Sequence, residues 1–582
     1  MKMIDEKDKS RLVEMITRSK AGLDSVMPHF IDLFNAYQAL LDEKAIKYLD
    51  SKGKSRIPYY LIMTKLQRIH ADFVEAYFTN KQFAKISNKK SLKGVYYDAT
   101  TDSFVPFTRG LFDGMSINAI NSLQNAIDFY TTEDDDDKSC LYDPLVKVLR
   151  QLQIYGTGII KVYWDFESDG IVLEKIELKD ISFDTEAVSF KDCKYLVHDM
   201  YLTKNEILEH RDSGLFASDA EYERINESNG TNTFNQNPNE FKRFKVQEIY
   251  EKQKGKWYVS TIWNKEIVLR FKAELPDGLP FIVGTLKEQE VKPDGSDNSV
   301  RVYGDSIVAP LIPIQREMIV IRNQQLDIID RQLNPRYIIN DNNINPFDFS
   351  NQKISAIRGN GDAVKELQTP NMRDSNFNVE RLGVEAQEVI GVTDYSATGA
   401  KQMNKTATGM SILTSESSKI IQHLLRGANE TLIKPLFRKI SYLVWSYGSA
   451  EFFWGIDRTQ KLDYQVGVDV GLGATNKETA LNSKTMAYSK ILEMASLKAT
   501  NGINPQKDFI KAEKFLHQEI FPLLGIENYE EYGNEDAAET GNNPTNGNME
   551  IYNPMFTGGQ EAVNEQGGYK QSQQQPFYNG SN

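Results

Sequence analysis

The sequence predicts an α+β chain, predominantly helical, built from several substructures. Three observations carry this. Residues 1–154 show apolar residues at three- and four-residue spacing over most of their length. From Tyr155 to about 302 the pattern switches to alternation, with glycine-containing turns between runs. A run without a breaker then extends from Pro313 to Leu333, between a proline-rich lead-in and Asn334-Pro335.

Taken in order, Arg11–Lys20 and Met27–Leu49 read as helices. Lys52-Gly-Lys-Ser-Arg56 reads as a basic turn, and Tyr59–Thr79 and Ser103–Tyr130 as further helices. Thr131–Lys138 (TTEDDDDK) is a like-charge block expected to be a solvated loop, and Asp143–Leu152 resumes a helix. In the alternating block, Ile181–Ala187 and Lys194–Tyr201 read as strands. Thr203 and Glu206 form a capping-box pair that starts a short helix. The Asn-, Ser- and Gly-rich stretch 212–240 reads as a loop. Phe244–Tyr250, Lys256–Asn264 and Glu266–Lys272 then form a meander, and Phe281–Gly284 is one more strand.

The Pro313–Leu333 run is expected to form one helix about 30 Å long. Its polar residues circle it too widely for the centre of one core, which suits a strut packed against identical neighbours. Beyond it, Tyr337–Asn340 and Lys353–Arg358 read as short strands and Asn378–Gly391 as a second helix. Residues 392–406 (VTDYSATGAKQMNKT) lack periodicity over a length usually reserved for function. From Ala407 to about Tyr447 the helical pattern is strong, with a kink expected at Pro435. Leu462–Val470 reads as a strand, and GLGATNKE opens a long helix broken at 501–505 that resumes to about Leu524. From 529 the sequence is polar and expected to be disordered.

The totals exclude several function classes. Net charge is −13 over 582 residues, so tight nucleic-acid binding through phosphates is not expected. Cys140 and Cys193 form neither a disulfide framework nor a zinc spacing. The charged N-terminus has no apolar signal region and no stretch approaches a membrane span, so a soluble protein of a reducing compartment is expected. Gly53-Lys54-Ser55 lacks the upstream glycine and strand of a phosphate loop. In Gly471-Leu-Gly473-Ala-Thr-Asn476, Asn476 stands where a dinucleotide fingerprint needs glycine. The six histidines show no metal spacing and no nucleophile elbow is present. No catalytic residue, cofactor or metal is therefore expected.

Lys401, Gln402, Asn404, Lys405 and Thr406 lie in the 392–406 loop. On one chain such lysines read as solvated. Repeated around an axis, they would touch a phosphate backbone without reading bases.

The order of these parts resembles the portal proteins of tailed double-stranded DNA bacteriophages, of the short-tailed type. The residues that carry it are IYGTGIIKVYWD and ISFDTEA, LPFIVGT with VYGDSIVAPLIPIQREMIVIRNQQLD, NKTATGMSILTSESSKIIQ, and VGVDVGLGATNKE. The resemblance implies a portal fold of wing, stem, clip and crown that assembles as a dodecameric ring at one capsid vertex. The helical 1–154 and strand-rich 155–302 would form the wing. Residues 303–333 would be the first stem helix, 334–377 the clip, 378–391 the second stem helix and 392–406 the tunnel loop. A long wing helix and strand (407–474), crown helices (475–528) and a polar tail (529–582) would follow. It further implies a virion protein, present in the host cytoplasm during assembly. Its implied partners are its own copies, the major capsid protein, a scaffolding protein, the terminase large subunit, a head-tail adaptor and non-specifically conducted duplex DNA.

On this reading Arg316, Arg322, Asp327, Asp330 and Arg331 are candidates for contacts between subunits, although Asp327 and Arg331 also have the spacing of a pair within the helix. Arg336, Tyr337, Lys353 and Arg358 are candidates for docking at the clip. Other expectations remain open: another oligomeric tail or baseplate protein, or a nuclease in the strand block.

Overall fold

The structure is a computed structural model. It describes residues 6–78, 84–88, 93–98, 103–108, 113–131, 141–218, 243–289, 300–340, 361–367, 373–390, 420–456, 464–468, 477–500 and 506–516, with a few isolated positions besides. The chain divides into Met1–Gly525 and Ile526–Asn582, and all described residues belong to the first unit. The polar tail, the acidic block at Asp134–Asp137 and most of the 212–240 loop lie outside them.

Helix α1 (Glu6–Tyr37) is continuous where the sequence suggests two helices, and carries Pro28 on its exposed side. It stops because Ala39 takes a left-handed conformation (φ 53°), a position usually marked by glycine or asparagine and so not legible here. Helices α2 (Glu43–Ser51) and α3 (Leu61–Phe78) follow. The expected helix from Ser103 is corrected. β1 (Ala84–Asn88) precedes a hairpin of β2 (Lys93–Asp98) and β3 (Ser103–Thr108), and helix α4 begins only at Asp113 and runs to Thr131. Pro106 would interrupt a helix at that point, and its missing N–H is tolerated at the edge of a two-stranded ribbon.

Helix α5 (Tyr142–Tyr155) leads into β4 (Thr157–Asp165) and β5 (Gly170–Lys175). β6 (Ile181–Phe183) is shorter than the expected Ile181–Ala187. β7 (Tyr195–Thr203) ends in the predicted capping box, where Glu206 N donates to Thr203 Oγ1 at 3.3 Å and Thr203 N to Glu206 Oε2 at 2.7 Å, opening α6 (Lys204–Asp212). β8 (Arg243–Gln253), β9 (Lys256–Trp263), β10 (Ile267–Leu275) and β11 (Phe281–Thr285) complete the block. The strands form two antiparallel sheets, ordered β10-β9-β8-β7-β6 and β11-β4-β5. Helix α1 lies on the larger sheet through bidentate Arg11–Glu251 contacts at 2.5 and 3.0 Å, and through Asp199, which receives Lys20, Lys245 and Gln247.

Helix α7 (Ile312–Leu333) matches the predicted rod within one residue. β12 (Tyr337–Ile339) pairs with β13 (Val364–Glu366), and helix α8 (Arg373–Ile390) begins five residues before the expected Asn378. The predicted strand Lys353–Arg358 lies outside the described residues. The next helix, α9, is described from 420 to Tyr447 and widens to a π-turn at Asn429–Ile433, one turn before the predicted kink residue Pro435. β14 (Tyr464–Val468) pairs with β1. Helices α10 (Lys477–Thr500) and α11 (Gln506–Phe515) pack on each other through buried Ala495 and Ala512.

Candidate functional site

The functional centre suggested by the sequence is α7, and its anchorage begins at Tyr303–Ser306. Tyr303 is buried, its ring edge-on to Phe30 and Phe183. Gly304 N donates to Thr157 Oγ1 at 2.9 Å, and Ser306 Oγ donates to Ile154 O at 2.5 Å while accepting from Val308 N. Here the backbone of 304–305 crosses that of Gly156. A Cβ on Gly156 would lie 2.5 Å from Asp305 C and O, and one on Gly304 2.7 Å from Gly156 O. Gly156 also has φ 76°, which a side chain would strain. The two glycines of the YGTG and YGDS motifs therefore serve one crossing, which ties the start of the rod to the junction of α5 and β4.

The first half of α7 is not the free strut that its polar pattern suggests. Ile314, Met318 and Ile319 are buried together with the amides Gln315 and Asn323. Gln315 Oε1 accepts from Ile62 N at 2.9 Å and its Nε2 donates to Ala36 O at 2.7 Å. Asn323 Oδ1 accepts from Ile57 N at 2.7 Å and its Nδ2 donates to Ile57 O at 3.0 Å. Thus Gln315 ties the start of α3 to the end of α1, while Asn323 satisfies the backbone of a connecting strap that has no regular ladder of its own. The sequence contains a signal for them, two amides eight residues apart among aliphatics, but gives no indication of their partners.

The candidate stem residues divide between strap and solvent. Arg322 donates to Pro58 O at 3.3 Å and lies over the Tyr59 ring. Asp327 Oδ1 accepts from Ser55 N at 2.8 Å, and Asp330 Oδ1 accepts from Asn334 Nδ2 at 3.0 Å. These three thus have partners in their own chain. Arg316 and Arg331 are exposed. Arg336 and Tyr337 are exposed beside the small β12–β13 sheet, where Leu367 N donates to Arg336 O. Lys353, Arg358 and the loop residues Lys401, Gln402, Asn404, Lys405 and Thr406 lie outside the described residues.

Helix α8 returns along α7. Its Leu382, Ala386 and Ile390 are buried, and Gly383 faces Met318. Towards its C-terminus α7 loses its cover: Leu333 is 75% exposed, Ile329 38% and, higher up, Val320 53%. At about 100° per residue, Val320 and Ile329 point to opposite sides of the rod.

A second support comes from α9. Thr431 Oγ1, in the π-turn, accepts from Thr285 N at 3.0 Å and lies 2.8 Å from Thr285 O. It thus completes the free edge of β11, and the wider turn precedes Pro435, which has no N–H to give.

The charges most perturbed by burial lie away from the rod, in the larger sheet and on α9. Glu248 is met by Lys161 Nζ at 3.8 Å, His198 Nδ1 at 3.4 Å and Tyr250 O–H at 2.7 Å. Burial pushes its carboxyl up, but these neighbours outweigh that and hold it at about 2. Lys439 Nζ donates to Asp277 O at 2.6 Å, and burial pulls its amine down to about 8 against the Asp277 carboxylate. Lys161, Tyr163, Tyr250, Asp277 and Lys439 line a cavity of about 180 Å³. Among the described residues no cluster of three or more His, Cys, Asp or Glu could hold a metal ion, and no helix is long and apolar enough to cross a membrane.

No curated protein matches the chain. A sequence model of the Phage SU10 portal protein family matches residues 161–553, two thirds of the chain, from β4 through the helix pair and α9 into the polar tail. The chain belongs to the Phage SU10 portal protein family.

Proposed function

We propose that this portal protein forms a closed ring of about twelve copies at one capsid vertex, through which duplex DNA is packaged and ejected. In this reading α7 and α8 are the stem, and the segment between them, now 334–372, is the clip that meets the terminase large subunit and later a head-tail adaptor. The 392–406 loop lies at the channel, α10 and α11 form the crown, and the major capsid protein and a scaffolding protein surround the wing.

The observation that supports this best is the aliphatic side chains that α7 leaves exposed on opposite flanks, Val320 on one and Ile329 and Leu333 on the other. Burying each such side chain is worth about 1.5–3 kcal/mol, and leaving several bare on a rigid rod is unfavourable in water. A single partner would cover one flank. A heterologous ring supplies a neighbour on each side.

The net charge of −13 suits a conduit that must not hold DNA tightly, with a few loop lysines to brace it. Replacing Lys401 and Lys405 with Ala should leave assembly intact and lower DNA packaging or retention. Unchanged packaging would show that these lysines have no part in it. DNA movement requires a separate ATPase, because the sequence carries no complete nucleotide loop.

A further inference from the structure

The strap that α7 holds has an outer face of its own. Helix α2 buries none of its nine residues. Lys44, Lys47 and Tyr48 lie on one side of it, and Lys52, Lys54, Ile57 and Tyr60 continue the surface, all exposed. The four lysines make no ion pair among the described residues. This surface is not a loose loop. Ser55 N, Ile57 N and Pro58 O are fixed to Asp327, Asn323 and Arg322 of α7. The result is a basic and aromatic patch held rigidly beside the rod.

The complementary surface lies on α8. While Leu382, Ala386 and Ile390 face inward, Glu380, Val384, Glu385, Glu388 and Val389 are exposed. Its Gly383 packs at Met318, and the strap is pinned at Arg322, four residues further along α7. At 1.5 Å per residue the two surfaces differ in height by only about 6 Å along the rod. The strap is bonded to Asn323 and Asp327, about 140–180° around α7 from Met318, so the two surfaces occupy different flanks and one copy does not bring them together. Rotation about a ring axis parallel to the rod preserves height, so each copy would present its strap at the level of the next copy's α8.

We propose that the 43–60 strap of one copy docks on the outer face of α8 of its neighbour. Lys44, Lys47 and Lys54 meet Glu380, Glu385 and Glu388, and Tyr48, Ile57 and Tyr60 cover Val384 and Val389. The occupant is a second copy because the charges and the apolar side chains complement each other within one sequence. This rests on the ring reading above and adds a specific contact to it.

The test uses the full chain with Cys140→Ser as background, Cys193 being buried. Ile57→Cys combined with Val384→Cys should give a ladder of disulfide-linked oligomers under mild oxidation, and neither change alone should do so. Glu385→Lys with Glu388→Lys should raise the protein concentration for half-assembly at least tenfold at low salt. Adding Lys47→Glu and Lys54→Glu should reverse most of that rise. Rings that form without cross-linking and ignore the charge reversal would overturn the strap contact and leave the ring reading standing. An unmodified chain that forms no ring would overturn both.

Discussion

Replacing Gln315 with Leu tests whether buried amides of α7, rather than apolar contact alone, hold the rod to the rest of the chain. Leucine is close in size and keeps the site filled. What disappears is the acceptor for Ile62 N and the donor to Ala36 O. Ile62 N is left without this acceptor at about 1–3 kcal/mol, while Ala36 O keeps Ala39 N at 3.1 Å and loses only its second donor, at about 0.5–1.5 kcal/mol. The leucine recovers part of this through its own burial, about 1–2 kcal/mol against the amide it replaces. A net local loss of about 1–2 kcal/mol remains, which raises the open population of the junction roughly 5- to 30-fold. Hydrogen exchange read by mass spectrometry on peptides covering 33–40 and 57–66 is the assay, because it reports local opening without requiring two-state unfolding of a large chain. Exchange in both peptides should accelerate by that factor while peptides from the β6–β10 sheet stay unchanged. Exchange in 57–66 as slow as in the parent chain would refute the reasoning and leave the Gln315 amide without a part in fastening the rod.

Other outcomes follow from the same contacts. Gly156→Ala combines a left-handed φ with a Cβ 2.5 Å from backbone, so thermal melting should show a loss of more than about 2 kcal/mol, or no soluble protein; a parent-like melt would mean that the crossing yields easily. Thr431→Val leaves the free edge of β11 unsatisfied and should cost about 1–3 kcal/mol in a denaturant titration, while Thr431→Ser stays near the parent. Asp199 and Glu248 both have carboxyls held below their ordinary range, so the native state binds fewer protons than the unfolded chain. Their stabilisation is complete above about pH 4–5 and is lost as the pH falls towards 2. The melting temperature should drop over that window, and Glu248→Gln, less stable at pH 6, should lose less of its stability on acidification.

Much of this architecture is legible in the sequence because the relevant signals are local. The rod at Ile312–Leu333 lies between two proline-marked ends, and the Thr203–Glu206 box announces α6. The meander shows in its alternation. The errors arise where the determinant is not local. Ala39 ends α1 without a glycine, and the β2–β3 hairpin contains apolar residues that also fit a helix until Pro106 is given its weight. Gln315, Asn323 and Asp327 look like the faces of a solvated strut, but serve backbone groups more than 250 residues away in sequence, which no periodicity reveals. Likewise the pairing of Gly156 with Gly304 is visible only once both motifs are seen at one crossing.

The most direct test of the central claim is the mass of the purified protein in solution, by native mass spectrometry or multi-angle light scattering, with negative-stain images down the particle axis. A closed ring of about twelve copies with an open centre is the predicted result. Trimers, open fibres, or a chain that stays monomeric at micromolar concentration would contradict it.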